Sequence, residues 1–210
     1  QVPDITSRYD ADRLFGLGET SEFLRAGASL TLDFTRRRMF QERGAEIGVG
    51  ARLFRGVTGT RADFHRVRIT GDGYLPLTPL QSLVLRGRLE FNRSDGGRGV
   101  PFTHLAGLGD ELGARAYTDY RFRGNDLAAA TAEYRWEIWR DPRETVRLGG
   151  FLFFEEGVVA RDLSGISSGD WRPSYGFGMR VETRSGPLGS WFVANGDEGA
   201  RVQVSVEVEP

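Results

Sequence analysis

Apolar and polar residues alternate with a period of two along most of this chain, the pattern of strands with one apolar face. In Ala28–Arg36, Leu30, Leu32 and Phe34 share one face and Ser29, Thr31, Asp33 and Thr35 the other. In Gly44–Phe54, Ala45, Ile47, Val49, Ala51 and Leu53 oppose Glu46, Gly48, Gly50 and Arg52. The alternation continues through Phe64–Tyr74, Leu83–Asn92, Leu127–Trp139, Thr145–Glu156 and Trp171–Glu182. It is cleanest in Ala200–Val208, where Val202, Val204, Val206 and Val208 stand against Arg201, Gln203, Ser205 and Glu207. Leu188–Asn195 is ambiguous, so the pattern predicts about nine strands, within a range of about 8–10. Turns are expected where Gly, Pro, Asp and Arg cluster: Arg37–Arg43, Gly56–Asp63, Pro76–Ser82, Asp141–Glu144 and Thr183–Pro187. A much longer connection, residues 94–124, separates the two halves, and connections of that length are usually functional. Residues 1–24 lack clear periodicity and read as a tail, a loop or a partial strand, leaving residues 25–210 for the β domain.

Alternation alone fits a soluble β-sandwich or lipocalin-like barrel binding an apolar ligand as well as it fits a membrane barrel. Three features favour the membrane. The segments are longer than the roughly five or six residues usual in globular strands. Arg86, Arg88 and Glu90 sit together mid-strand, as suits a wet lumen crossed by ion pairs. Tyr74, Trp136, Trp139, Trp171 and Trp191 lie mostly near strand ends, where an interfacial girdle belongs. The fold class expected is therefore all-β, with an antiparallel transmembrane β-barrel, whole or part of a larger one, favoured and the soluble barrel still open at this point.

Composition removes several other classes. Hydrophobic residues are only 39% of the chain, and no stretch approaches the roughly 18 apolar residues of a membrane helix. A barrel strand crosses lipid while averaging out as polar. With 28 basic and 29 acidic residues there is no cationic excess to neutralise phosphates, so nucleic acid is not an expected partner. The absence of cysteine removes disulfides and thiolate chemistry.

No catalytic, cofactor or metal site is expected. His65 and His104 are isolated, without ligand spacing. Ser164, Ser167 and Ser168 lie outside any nucleophile elbow. Glu155 and Glu156 point to opposite faces of a strand and cannot act as a carboxylate dyad. Gly176 and Gly178 lack the strand–turn–helix setting of a nucleotide loop. Arg36–Arg38 reads as a solvated turn, with anionic lipid headgroups as an available contact.

The residues of the long connection carry a resemblance. Gly107-Leu108-Gly109, Ala114-Arg115-Ala116-Tyr117 and Arg121-Phe122-Arg123-Gly124 resemble the long sixth loop of the BamA/TamA superfamily of outer-membrane assembly barrels, surface-antigen type. That superfamily also includes the transporters of two-partner secretion. Ala132-Glu133-Tyr134-Arg135 is similar to the strand that follows the loop. Phe153-Phe154-Glu155-Glu156-Gly157 resembles the family's Phe-x-Asp-x-Gly strand, and Tyr175–Val181 and Leu24–Asp33 resemble further strands. The ordered series covers roughly residues 15–208. It departs from the family pattern at Ala116, where the family has Gly, a residue suited to positive φ or close approach.

The resemblance implies that the loop folds into the lumen and is locked there by Arg115 and Tyr117 against Glu155. Arg121, Arg123 and Glu133 are then its lumenal neighbours. It also implies the bacterial outer membrane, membrane lipids as partners with lipopolysaccharide a candidate among them, and protein partners in a larger complex. An assembly factor of the family has periplasmic POTRA domains, for which this sequence has no room. The expected role is a scaffold or narrow pore, the alternative the barrel portion of an insertase or secretion transporter.

Overall fold

The structure of the chain is a computed structural model describing residues 15–16, 20–38, 41–59, 62–96, 99–110, 113–143, 145–183 and 186–206. The strands are β1 (Glu22–Asp33), β2 (Arg36–Arg38), β3 (Gln41–Thr58), β4 (Phe64–Thr78), β5 (Gln81–Ser94), β6 (Ala106–Leu108) and β7 (Phe122–Gly124). They continue as β8 (Asp126–Arg140), β9 (Val146–Ala160), β10 (Arg172–Thr183), β11 (Pro187–Gly196) and β12 (Gly199–Val206). One antiparallel sheet runs β1-β3-β4-β5-β8-β9-β10-β11-β12, with β2 pairing β3 alone; β6 and β7 pair with each other inside the long loop. Among the described residues β1 and β12 are the sheet's edges. The residues of β3, β4, β8 and β9 number 18, 15, 15 and 15, more than the roughly 9–11 needed to cross a bilayer at a tilt.

The direction of the apolar faces decides what solvent the sheet is built for. Val202, Val204 and Val206 are 68, 72 and 74% exposed. Leu30, Leu53, Leu85, Leu152, Phe154 and Phe177 also face outward. On the other face Glu90, Glu133 and Glu155 are only 1, 0 and 2% exposed. A soluble barrel would seal the valines and leave carboxylates in water; the reverse arrangement is favourable only where lipid surrounds the wall and polar groups meet inside. The soluble reading falls on this observation.

Several local expectations change. Residues 1–14 and 17–19 lie outside the described residues, but β1 begins at Glu22, so the boundary drawn at residue 25 falls inside a strand. The turn expected at Arg37–Arg43 is instead a hairpin extension, with Arg36 opposite Arg43 and Arg38 opposite Gln41. The turn expected at Pro76–Ser82 shrinks to Pro79 and Leu80, because β4 continues through Pro76 with a register shift before Thr78. Leu188–Asn195 is a strand whose alternation is hidden because both faces are apolar: Trp191 and Val193 face out, and Phe192 and Ala194 are buried inside. Tyr74 is not on the outer girdle. It stands opposite Val84, which is buried, and directly opposed residues share a face.

The turn after β4 and those after β8 and β10 are short and share one end of the sheet, whereas the long loop after β5 leaves the other end with residues 161–171. Short turns mark the periplasmic side of such barrels and long loops the outer side. From that outer end the long loop folds back onto the inner face, touching strands from β1 to β12. It contains one turn of 3-10 helix at Phe102–His104 and the β6–β7 pair.

Candidate functional site

The inner face of β8–β12 presents an aromatic floor ringed by charge. Phe151 and Phe153 on β9 and Phe192 on β11 point inward, giving β9 apolar residues on both faces at Phe151–Phe154. Gly176 and Gly178 on β10 make room for them. A Cβ at Gly176 would lie 2.7 Å from the Phe153 ring, and one at Gly178 2.4 Å from Phe151. The two rings therefore lie across a strand that has no side chains there, which is the physical use of glycines that carry no nucleotide motif.

Arg115 descends from the loop onto this floor. Its guanidinium carbon sits 4.4 Å from the centre of Phe153, 5.5 Å from Phe151 and 5.9 Å from Phe192. Its Nη2 donates to Glu133 Oε2 at 2.6 Å, its Nε lies 3.3 Å from Glu155 Oε1, and its backbone N–H donates to Glu155 Oε2 at 2.7 Å. Arg115 and Glu155, expected to meet, are together, and Glu133 is the nearer partner of the guanidinium. Arg115 Nη1 has no hydrogen-bond acceptor, so the π faces beneath the guanidinium are the contacts available to it.

The shell around this contact is larger than the sequence suggested. Arg135 Nε and Arg180 Nη2 each donate to Glu133 Oε1 at 2.6 Å, making Glu133 the common acceptor of three arginines. Ser174 Oγ donates to Glu155 at 2.9 Å and accepts the Ala116 N–H at 3.0 Å, tying the loop backbone to the same carboxylate. Arg201 on β12 donates to the carbonyls of Arg115 and Tyr117 at 3.2 and 2.8 Å and pairs with Asp110 at 3.2 Å. A carboxylate inside a wall is tolerable only with this density of donors.

Tyr117 fixes the loop one residue further on. Its hydroxyl donates to Pro173 O and accepts the Asp197 N–H, both at 3.0 Å, and its ring meets Phe122 edge-on at 5.0 Å. Burial pushes the phenol's pKa above its usual range. Ala116, the departure from the family pattern, is buried without a positive φ; among the described non-glycine residues only Tyr120 has one. A Cβ at Gly196 would lie 2.9 Å from the Ala116 methyl and 2.8 Å from the Tyr117 hydroxyl. The glycine that lets the loop approach is thus on the wall.

Arg121 and Arg123 stand apart from this cluster. Arg121 pairs with exposed Glu198 in the β11–β12 turn at 2.7 Å. Arg123 lies 4.6 Å from the ring centres of both Phe102 and Tyr120 and donates to Phe102 O at 3.3 Å, bracing the loop internally. Arg180, Ser174 and the inward phenylalanines were missed; the signal was the four-residue apolar run Phe151–Phe154, which breaks alternation.

A second anchor holds the loop near β1, β3 and β4. His104 packs on Phe23, Phe54 and Phe64 with ring centres 4.7, 5.5 and 5.3 Å away, and its carbonyl accepts from Arg66. Burial, reinforced by the Arg66 charge, holds the His104 imidazole below its ordinary pKa. His65 instead pairs with Asp95 at 2.9 Å near the surface. Ser164 and Ser167 bond Asp162 and Asp170 in two small turns. Among the described residues no three His, Cys, Asp or Glu side chains gather to hold a metal.

Apolar outside, charged inside and held by an inward loop, this wall is that of a transmembrane outer-membrane barrel. The Omp85 superfamily domain matches residues 6–205, and the chain belongs to that superfamily, which places it in the bacterial outer membrane. A crystal structure of BamA from Haemophilus ducreyi lacking POTRA domains 1-3 is similar in fold, with a TM-score of 0.66 and 18% identity over 85% of this chain. The chain spans 40% of the length of that structure. No curated protein sequence matches this one.

Proposed function

We propose that this chain is the loop-bearing wall of a non-enzymatic outer-membrane barrel that inserts or transports other polypeptides. Membership of the Omp85 superfamily supports this reading, and the docked loop is the observation that carries it. Two carboxylates and three aromatic rings hold Arg115 in one place, and two further arginines share Glu133 with it, which is more than a surface loop needs. The loop keeps a curved wall of nine strands in one shape. Protein partners in a membrane complex and lipopolysaccharide contact at the outer end belong to the same proposal.

The test is depletion of the natural full-length protein followed by measurement of other barrels and secreted polypeptides in the outer membrane. Depletion should lower them, and Arg115→Ala should restore them only in part. Unchanged outer-membrane composition on depletion would remove the assembly reading. The second reading, a scaffold or narrow pore, is favoured by the charged inner face of β3–β5 beyond the His104 anchor. Steady conductance in a planar bilayer, insensitive to Arg115→Ala, would support that reading instead.

A further inference from the structure

Among the described residues the loop covers the inner face of β8–β12 and, through the His104 anchor, only the outer ends of β1, β3 and β4, whose remaining inner face is open and unevenly charged. Arg66, Arg68 and Arg88 all converge on one buried carboxylate, Glu90, at 3.2, 2.8 and 2.8 Å. Arg52 adds a fourth cation directly opposite Arg66 across the β3–β4 pair. Among the described residues no carboxylate pairs with Arg52, so four guanidiniums share one acid and the patch carries a net charge of +3. Like charges directly opposed on neighbouring strands are destabilising unless something neutralises them.

Beside Arg52 lies a trough of about 140 Å³. Its floor is Gly48 and Gly50; a Cβ on Gly48 would come within 2.6 Å of Thr70 Oγ1, and one on Gly50 within 3.6 Å of Ser29 Cβ. One flank carries the hydroxyls of Ser29 and Thr31, the other Arg66, Arg68 and the hydroxyl of Thr70. Guanidinium forks on one side and neutral donors on the other suit a compact anion with several oxygens. We infer that this trough binds a soluble tetrahedral oxyanion of the phosphate or sulfate type, with Arg52 its principal ligand. The trough opens to the wet interior, away from lipid, so a bilayer headgroup is not the source. Bound there, the anion satisfies the cation that the fold leaves unpaired.

The test uses the full chain in detergent micelles, with thermal unfolding followed in chloride and in inorganic phosphate at equal pH and ionic strength. Phosphate should raise the midpoint saturably. Arg52→Gln should weaken the apparent phosphate affinity by about tenfold, the equivalent of roughly 1.4 kcal/mol. In chloride the same variant should unfold at the wild-type temperature or above, because it removes a like-charge pair. Thr70→Val, which keeps every charge, should weaken phosphate binding less. The inference is overturned by an equal phosphate effect in wild type and Arg52→Gln, by an increment that tracks ionic strength alone, or by Arg52→Gln unfolding early in chloride.

Discussion

At the scale of single residues, Arg115 shows how one side chain can fasten a loop. Its charge meets two carboxylates while its flat face lies on Phe153, so both charge and shape are used. Arg115→Ala leaves Glu155 with Ser174 and one backbone donor but no cation, and an uncompensated buried carboxylate costs about 3–5 kcal/mol. The thermal unfolding midpoint in detergent should fall clearly. Arg121→Ala, which breaks an exposed pair worth about 0–1 kcal/mol, should leave it nearly unchanged. Arg115→Lys should recover little, since an ammonium has neither the fork to reach both carboxylates nor the face to lie on a ring. Equal midpoints for Arg115→Ala and Arg121→Ala would mean that the lock contributes nothing. The pairing of Arg115 with Glu155 was legible in the sequence through family likeness. The nearer contact with Glu133 was not, because it depends on β8 and β9 standing in register with Glu133 opposite Phe153.

At the scale of elements, alternation gave the strands wherever a single face was apolar and failed where both were. β11 and the middle of β9 are covered outside by lipid and inside by the loop, so their period-two signal is lost. Tyr74 was misplaced for a related reason, since an aromatic near a strand end looks the same from either face. Glycines resolve the two faces better. Gly178→Ala would place a methyl 2.3 Å from Trp191 O and 2.4 Å from the Phe151 ring, and such overpacking costs about 1–3 kcal/mol. Gly71→Ala and Gly87→Ala meet nothing within 4 Å and should leave the unfolding midpoint within experimental scatter. The second loop anchor adds a pH dependence. The His104 imidazole is held below its ordinary pKa of about 6.5 when docked, so the undocked loop binds the proton more readily. Docking is therefore at full strength above about pH 6.5 and weakens as the pH falls from there toward the docked pKa, levelling off below it. Limited proteolysis of residues 99–110 should accelerate over that range. His104→Phe should abolish the acceleration, and its persistence in that variant would assign it to another group.

At the scale of the whole molecule, the fold is organised by which solvent each face meets. Mean composition could not reveal this, because a wall with lipid on one side and water on the other averages to a polar sequence. The orientation makes a prediction that no soluble fold shares. Val49 lies near the middle of β3, faces outward and is half exposed; Thr31 faces the bare inner wall. An arginine facing lipid at the bilayer midplane costs about 2–4 kcal/mol, falling toward zero at the interfaces. Val49→Arg should therefore lower folding yield into lipid vesicles and the stability of the folded form. Thr31→Arg adds a cation to the positive inner patch, a repulsion that water and salt screen, so it should be tolerated better. The two variants add the same group, so their difference isolates the environment from the side chain. In detergent, where a flexible micelle can let the guanidinium reach water, the gap should narrow. Equal tolerance of both arginines in vesicles would mean that the outer face does not meet hydrocarbon at that depth.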